Sequence, residues 1–478
     1  MTRTEHTPAE WLVGHVTFPL THHLMNRRGV VSTYHELLRT ERADPERLAE
    51  LQIRRLRRTL AHAAARVPWY RERFRQAGLE PGDVRRLEDL RALPPLGRAD
   101  VVEHHRQLVD ERHRPAAEAA LQSHRPPGAP IPLARFRRLR LVRNTSSGST
   151  GAPTVFFEDG SVTGLSWAAE LRHKQWFGVE PGAREARMVR LSTTHVAGSP
   201  QNRWRQHLWH QLILPGVNLR DGDYEECRRR LDEFRPRVLW GFTGALTGLA
   251  DYLQRTGRHL GFRPVVVVGW AAPVYAHEQE LLEQVFGCPA SNVYGTREVG
   301  HVAQRCPCGT LHINQEWFVV EAEEGGEPAP EGGGELLVTA LVPTPMPFIR
   351  YRLGDLARVA PSGCACGRTL QVLDHFVGRT GEVFTTRDGR MIPPNYWCRL
   401  FMAPEIPGAV RRFQVIYTRG QDIVVRLVRG PGFSAHTEAY LQRVMAENFA
   451  PVTAWRFEYV PEIRPTTSGK YQMVYREP

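Results

Sequence analysis

Lysine is almost missing from this chain of 478 residues: Lys174 and Lys470 stand alone among 63 lysines and arginines. The net charge of +12 is therefore carried by arginine spread along the whole chain. That is a composition bias and not the clustered, aromatic-interleaved basic face of a nucleic-acid binder. The scarcity also gives the two lysines weight, because a lysine kept where arginine is the rule marks a place for a compact ammonium that a planar guanidinium does not imitate. Long apolar runs are missing as well, none nearing the roughly 20 residues of a membrane-spanning helix. Met1 to Glu10, with Glu5, His6 and Glu10, lacks the basic-then-apolar layout of a signal peptide, so a cytoplasmic location with no membrane partner is expected. With 41% hydrophobic and 24% charged residues, disorder is excluded and there is room for two or three domains.

Hydroxyl groups and glycine are concentrated between Asn144 and Thr154, N-T-S-S-G-S-T-G-A-P-T. Ser146, Ser147, Ser149 and Thr150 supply donors, Gly148 and Gly151 let backbone approach a ligand closely, and Pro153 ends the turn before Val155-Phe156-Phe157. A run so poor in helix and strand formers suits a loop whose N–H and O–H groups turn on an anion. It is not a Walker loop, since no Lys-Ser or Lys-Thr follows the second glycine. The run from Arg135 to Arg143, R-F-R-R-L-R-L-V-R, leads into it and reads as a solvated strand edge able to draw a polyanion.

Residues 1 to about 45 show no clear period and read as a segment packed on the body. Ala49 to Gly78 reads as helix, interrupted at Pro68 and capped at Gly78, with Arg54, Arg55, Arg57 and Arg58 on a solvated face. From Ser161 onward, helices (Ser161 to Phe177, Tyr224 to Phe234, Thr243 to Thr256, His277 to Phe286) alternate with short apolar strands (Ala186 to Leu191, Arg237 to Trp240, Pro264 to Val268). This alternation predicts an α/β fold with a parallel sheet and right-handed crossovers. Residues 313 to 360 switch to strands with Gly/Pro-rich turns, a small β subdomain. Beyond Gly378 a hairpin, a helix and a strand make a separate α+β unit of about 100 residues, within the usual domain range.

Three further stretches line up with the Ser/Gly loop: Val293-Tyr-Gly-Thr-Arg-Glu298, placed after a helix where ligands collect at the carboxyl edge of a parallel sheet; Phe348-Ile-Arg-Tyr-Arg-Leu-Gly-Asp355, an apolar strand ending in a carboxylate; and Pro465-Thr-Thr-Ser-Gly-Lys470. In this order, and with Arg57 to Phe74 reading R-x-x-L-A-H-A-A-A-R-V-P-W-Y-R-E-R-F, the chain resembles the adenylate-forming superfamily of acyl-CoA synthetases. Within it, the resemblance is to the phenylacetate-coenzyme A ligases and their capsular-polysaccharide-type relatives. It implies a large multi-sheet α/β domain over residues 1–377, including the β subdomain at about 313–377, and a mobile α+β lid over 378–478, with ATP between them. It also implies that Ser146 to Pro153 hold the β- and γ-phosphates, that Tyr294 and Gly295 lie against adenine, that Thr296 touches the α-phosphate and that Glu298 holds Mg²⁺. Asp355, with Arg379 nearby, would take the ribose hydroxyls, and Lys470 would reach the bridge between carboxylate and α-phosphate. The chemistry agrees, since attack of a carboxylate on phosphorus joins two anions and needs Mg²⁺, a cation and backbone donors placed for the transition state. The chain departs from the family pattern at Ala152, where relatives often carry Lys, at Gly381-Glu382 after Gly-Arg-x, and in Val267 to Pro273, which lacks an acidic residue.

Of seven cysteines, Cys306-Pro-Cys308-Gly and Cys364-Ala-Cys366-Gly form two knuckles whose glycines permit the tight turn that points both sulfurs at one metal. A structural Zn²⁺ is the expected occupant, with His312 able to replace one thiolate and a disulfide as the competing arrangement. Thr194 to Trp204, Trp209 and Trp240-Gly-Phe242-Thr243 are aromatic and Gly-bearing, as an acyl pocket or an ordinary packed core would be, and aryl and alkyl acids fit the pocket reading equally. The expected activity is ATP- and Mg²⁺-dependent adenylation of a small carboxylic acid, then acyl transfer to coenzyme A or to the phosphopantetheine of an acyl carrier protein. The alternatives are an adenylyltransferase or amide-forming ligase of the same superfamily and, from another class, a zinc-containing nucleic-acid-binding protein.

Overall fold

The computed structural model describes residues 7–25, 29–122, 141–145, 154–189, 206–329, 333–379, 384–386, 391–392, 394–401, 403, 405–406, 408–449, 453–463 and 473–477. The N-terminal segment, read from sequence as aperiodic, is helical. α1 (Pro8–Leu12) opens with a capping box in which Thr7 Oγ1 accepts from the Glu10 N–H and Glu10 Oε2 accepts from the Thr7 N–H. A π-helical turn, Val13–Thr17, then leads into α2 (Phe18–Met25). The wider π turn breaks the 3.6-residue period between α1 and α2, which is why no regular pattern shows in the sequence. α3 (Val30–Thr40) follows, then α4 (Pro45–Arg66) and α5 (Pro68–Ala77). Val67 between them is extended at φ −115, as a residue preceding proline prefers, and Gly78 closes α5 in the left-handed region at φ 60. Leu56, Leu60 and Ala63 of α4 are fully buried. Arg55 does not belong to the solvated face assigned to it. Its guanidinium stacks on Trp317 at 3.5 Å, pairs with Glu36 and donates to the Glu316 carbonyl at 2.6 Å, so it fastens α4 to the body of the protein. Two short helices, α6 (Arg98–Glu103) and α7 (Arg114–Gln122), complete this layer.

A hairpin of β1 (Val142–Thr145) and β2 (Val155–Glu158), in register Thr145↔Val155, brackets the Ser/Gly loop. The expected alternation then appears: α8 (Ser161–Trp176), β3 (Glu185–Val189), β4 (Gln211–Pro215), α9 (Asp221–Phe234), β5 (Val238–Phe242), α10 (Thr243–Thr256), β6 (Val266–Trp270), α11 (Ala276–Phe286) and β7 (Ala290–Thr296). β4, β3, β5, β6 and β7 run parallel in that spatial order. Both sheet faces are covered, which explains the unbroken Val266-Val267-Val268 run: Val267 packs with the residues of α10 and α11, while Val266 and Val268 pack with Trp240 on the opposite face.

The antiparallel part, read from the sequence as a β subdomain from about residue 313, is joined to the parallel strands through β7. It starts at β8 (Gly300–Arg305), which pairs with β7 on one side and with β9 (Leu311–Ile313) on the other. With β10 (Phe318–Glu324), β11 (Glu327–Pro328), β12 (Gly334–Ala340), β13 (Tyr351–Ala360) and β14 (Val372–Arg379), the hydrogen-bonded order is β11-β10-β12-β13-β14-β9-β8-β7-β6-β5-β3-β4. The Gly/Pro turns seen in the sequence mark hairpins inside this continuous order and not a break in it.

The C-terminal unit comprises β15 (Phe384–Thr385), β16 (Met391–Ile392), α12 (Pro394–Phe401), β17 (Val410–Tyr417), β18 (Ile423–Arg429), α13 (Ala435–Phe449), β19 (Trp455–Tyr459) and β20 (Val474–Arg476), with a sheet of order β19-β18-β17-β20. It has its own core, in which Trp397 stacks on Phe449 at 5.0 Å and Phe384 on Tyr417 at 4.0 Å. Tyr275 packs against that core, and Arg411 pairs with Asp251 of α10 at 2.5 Å. Among the described residues no helix is long and apolar enough to cross a membrane.

Candidate active site

β7 and β13 are four ladder spacings apart in the strand order, roughly 19 Å in a flat sheet. Yet the Tyr294 hydroxyl donates to Asp355 Oδ2 at 2.7 Å. A phenol cannot bridge a flat sheet of that width, so the sheet curls and brings the ends of β7 and β13 face to face. Phe376 of β14 meets Tyr294 edge-on at 5.3 Å, and Asp355, itself buried, is the register partner of Arg379. Gly354 just before it takes φ 73, a turn that a side chain would resist. Further back, Arg350 is held at φ 47 by its own buried guanidinium, which bonds Glu321, Glu323 and the Leu93 carbonyl. The strand carrying Asp355 is thereby anchored independently of any ligand.

Thr296 and Glu298 are half-buried at the β7–β8 turn, with Thr296 Oγ1 accepting from the Val299 N–H at 3.4 Å. Gly300 follows at φ 86, where a Cβ would stand 2.5 Å from Ser166 Oγ of α8, so only glycine lets this turn seat against the helix. Arg297 reaches the other way and donates to the Thr145 carbonyl at 2.7 Å. It ties the Tyr294 segment to the end of β1. Asn144 and Thr163 both donate to Glu158, at 2.8 and 3.2 Å, and burial pushes that carboxyl above its ordinary range. The ends of β1, β2 and β7 and the start of α8 are thus bound together. Ser146, Ser147, Gly148, Ser149, Thr150, Gly151 and Lys470 themselves lie outside the described residues, as does all of the Thr194 to Trp204 stretch expected in the acyl pocket.

Beneath α8 lies a charge network that sequence reasoning missed. Lys174 pairs with Glu185 at 2.6 Å, and Arg187 bridges Glu185 and Glu170 while lying over Trp167 at 4.3 Å. Burial alone would raise the Glu185 carboxyl, but Arg187 and Lys174 outweigh it and hold it low. No local motif announces these residues, because their partners come from α8, β3 and β8. Trp209, assigned from sequence to the acyl pocket, instead packs in the main core, edge-on to Phe18 and Trp167, with its indole N–H donating to Thr21 at 2.6 Å.

The cysteine knuckles converge, and His312 joins them. Cys306, Cys364, Cys366 and His312 place their ligand atoms within 4.8 Å of one another, and Cys308, exposed at the rim, has its thiol beside those of Cys364 and Cys306. The reason is topological: β8 and β9 are paired at Gln304↔His312, which turns His312 inward and leaves Cys308 at the tip of the turn between them. Cys366 Sγ lies 3.3 Å from His312 Nε2, and Cys306 Sγ lies 3.6 Å from Cys364 Sγ with no bond between them. Gly309 at φ 84 and Gly367 at φ 73 make both knuckle turns. The other ring nitrogen of His312 faces the Leu370 carbonyl at 3.3 Å, the contact that fixes a ligating imidazole. Burial pushes the Cys306 thiol up to about 12 and His312 down to about 4. Arg42 donates to the Cys366 carbonyl and the Thr369 N–H to the Glu41 carbonyl, so the cluster joins the α3–α4 corner to β8, β9 and the β13–β14 loop.

Comparison with known proteins agrees with this geometry. The family model for the CapK C-terminal domain matches residues 384–477. The phenylacetate-coenzyme A ligase of Thermus thermophilus is 26% identical over 386 residues, covering 78% of this chain and 79% of that protein. Protein CapK of Staphylococcus aureus is 23% identical over 46% of this chain and 48% of its own length. Among solved structures, 2-hydroxyisobutyryl-CoA ligase in its postadenylation state, in complex with 2-HIB-AMP, superposes with a TM-score of 0.69 at 16% identity over 91% of both chains. The chain is similar to the phenylacetate-coenzyme A ligases and to CapK, and it shares the fold of 2-hydroxyisobutyryl-CoA ligase.

Proposed function

We propose that this chain is an AMP-forming acid–thiol ligase: it condenses a small carboxylic acid with ATP to an acyl-adenylate and passes the acyl group to a thiol, coenzyme A or a carrier-protein phosphopantetheine. The observation that carries the reading is the Tyr294–Asp355 hydrogen bond at the curl of the sheet, where an aromatic ring, a buried carboxylate and the Thr296–Glu298 turn meet at the carboxyl edge of the parallel strands. Tyr294 offers a face to adenine. Asp355, once Tyr294 yields or shares it, accepts the ribose hydroxyls, and Arg379 sits beside it in register. Thr296 and the 146–151 donors take phosphate oxygens, and Glu298 is the carboxylate to hold Mg²⁺, which would neutralise phosphate charge during the displacement. Lys470 supplies the cation at the forming bond. Residues 1–377 act as the binding body and 378–478 as the lid.

The set Cys306, His312, Cys364 and Cys366 fits a structural Zn²⁺ in ligand number and type, and with four protein ligands it leaves no open catalytic position. Exchange of pyrophosphate into ATP across a panel of carboxylic acids tests the proposal, since that exchange requires an acyl-adenylate. Asp355→Ala is expected to raise the KM for ATP about tenfold to a hundredfold with acid affinity little changed, as loss of a buried charged hydrogen-bond acceptor predicts. Failure of every acid to support exchange, together with retention on nucleic acid that falls steeply with salt, would replace the ligase by a nucleic-acid-binding protein.

A further inference from the structure

Four donors satisfy a structural zinc ion, and the two knuckles bring five together. Cys306, His312, Cys364 and Cys366 form the close set, while Cys308 puts one more sulfur beside Cys364 and Cys306. The five are not equivalent. Cys306 is 2% exposed, and His312 is fully buried with its ring steadied by the Leu370 carbonyl. Cys364 and Cys366 are half-buried, and Cys308 alone among them is exposed. The sulfur that the ion does not need is therefore the one that a solute meets first.

Cys308 and Cys364 belong to different knuckles. Cys308 stands in the turn between β8 and β9 and Cys364 in the loop between β13 and β14, so a bond between them would join the two knuckles directly. Cys364 Sγ accepts from the Cys366 N–H at 3.5 Å, an arrangement that favours its thiolate form as a ligand. Cys306 Sγ is also near, 3.6 Å from Cys364 Sγ. It lies beneath the surface, out of reach of a dissolved oxidant. An accessible thiol next to a second cysteine able to resolve it is the arrangement of redox-responsive cysteines.

We propose that the cluster is a peroxide-responsive zinc site, in which Cys308 is the entry thiol and Cys364 is the zinc ligand that it captures. The inference rests on the structural-zinc reading above. Hydrogen peroxide gives one oxygen to the Cys308 sulfur: the S–O bond forms, the O–O bond breaks, and the other oxygen leaves as water. The Cys364 thiolate then leaves the metal and attacks that sulfur. The S–S bond forms, and the hydroxide released from the sulfenic acid takes a proton from solvent and departs as a second water. The sum is a two-electron oxidation of two cysteines by one peroxide, with the charge of the zinc ion unchanged. The ion is left with Cys306, His312 and Cys366, and losing one of four ligands weakens its hold. Because the cluster ties the α3–α4 corner to β8 and the β13–β14 loop, and β8 and β13 carry the Gly300 turn and Asp355, oxidation is read out as weaker use of ATP.

The test exposes zinc-loaded full-length protein to hydrogen peroxide at low molar excess. Zinc release is followed with a colorimetric chelator, and disulfides are mapped by mass spectrometry of unreduced peptides. In the wild type, zinc release and a Cys308–Cys364 disulfide should rise together, and a thiol reductant with added zinc should reverse both. Cys308→Ser should begin with the same zinc content and release it about tenfold more slowly or less. The KM for ATP should rise with peroxide in the wild type and hold in Cys308→Ser. Release from Cys308→Ser at the wild-type rate overturns the inference, as does a map showing a Cys306–Cys364 bond or only sulfinic and sulfonic acids. Zinc that stays bound under peroxide overturns it and leaves the structural-zinc reading standing. Protein that carries no zinc when isolated under reducing conditions without chelators overturns both. The wild-type map decides even where the variant fails to fold.

Discussion

Lys470→Ala is expected to lower acid-dependent pyrophosphate exchange about a thousandfold, the size of effect seen when a charge-stabilising group is removed from a transition state, while ATP binding stays measurable. Only two lysines occur in the chain. Lys174 is accounted for by its buried pair with Glu185 at 2.6 Å, where a compact ammonium fits beneath α8 beside the larger Arg187. Lys470, behind Thr-Thr-Ser-Gly, lies outside the described residues, and its role is read from the sequence alone. A group that meets the forming bond between carboxylate and α-phosphorus acts on the transition state more than on bound ATP, so kcat should fall and the ATP dissociation constant should not. Lys470→Arg refines the point: if a point charge is needed, the planar guanidinium should restore only a small part of the rate. Exchange within a few-fold of wild type in Lys470→Ala, with ATP binding confirmed by calorimetry, would remove this residue from the mechanism.

The α/β alternation was legible because it rests on local periodicity. Thr243 to Thr256 reads as a helix and is one, and the Val266–Val268 run shows a strand buried on both faces. What was illegible depends on partners distant in sequence. The helices before residue 26 are hidden by a π turn. Arg55 resembles its exposed neighbours Arg54, Arg57 and Arg58 until Trp317 and Glu36 are brought to it. The union of the parallel and antiparallel strands is decided by the β7–β8 pairing, which no composition change marks.

The site divides in the same way. Tyr294 and Asp355 could be singled out from their motifs, but their direct contact follows only from the curl of the sheet. Glu170 and Glu185 had no such signal: a glutamate inside a long helix and another at the start of a short strand look ordinary until β3 is laid against α8. Buried polar groups of this kind acquire meaning from what surrounds them, which is the information a linear pattern does not carry.

The cysteine cluster gives the second large effect and separates two ligand sets that the knuckle spacing left open. Protein purified without chelators is expected to contain about one Zn²⁺ per chain. Cys364→Ser combined with Cys366→Ser, and His312→Ala alone, should each lose it and lower the thermal midpoint by about 5–15 °C, because metal-binding energy released only in the folded state is folding energy. Cys308→Ser should keep the metal if His312 is the fourth ligand, since His312 completes a group within 4.8 Å while Cys308, though beside Cys364 and Cys306, is exposed. The loss should reach beyond the knuckles. The cluster clamps the α3–α4 corner, through Arg42 and Glu41, onto β8 and the β13–β14 loop, and β8 and β13 carry the Gly300 turn and Asp355. Zinc-free protein is therefore expected to show a raised KM for ATP as well as a lower midpoint, although no ligand of the metal touches the nucleotide. Metal analysis that finds zinc retained in His312→Ala but lost in Cys308→Ser would restore the four-cysteine arrangement and overturn the topological argument from the β8–β9 register.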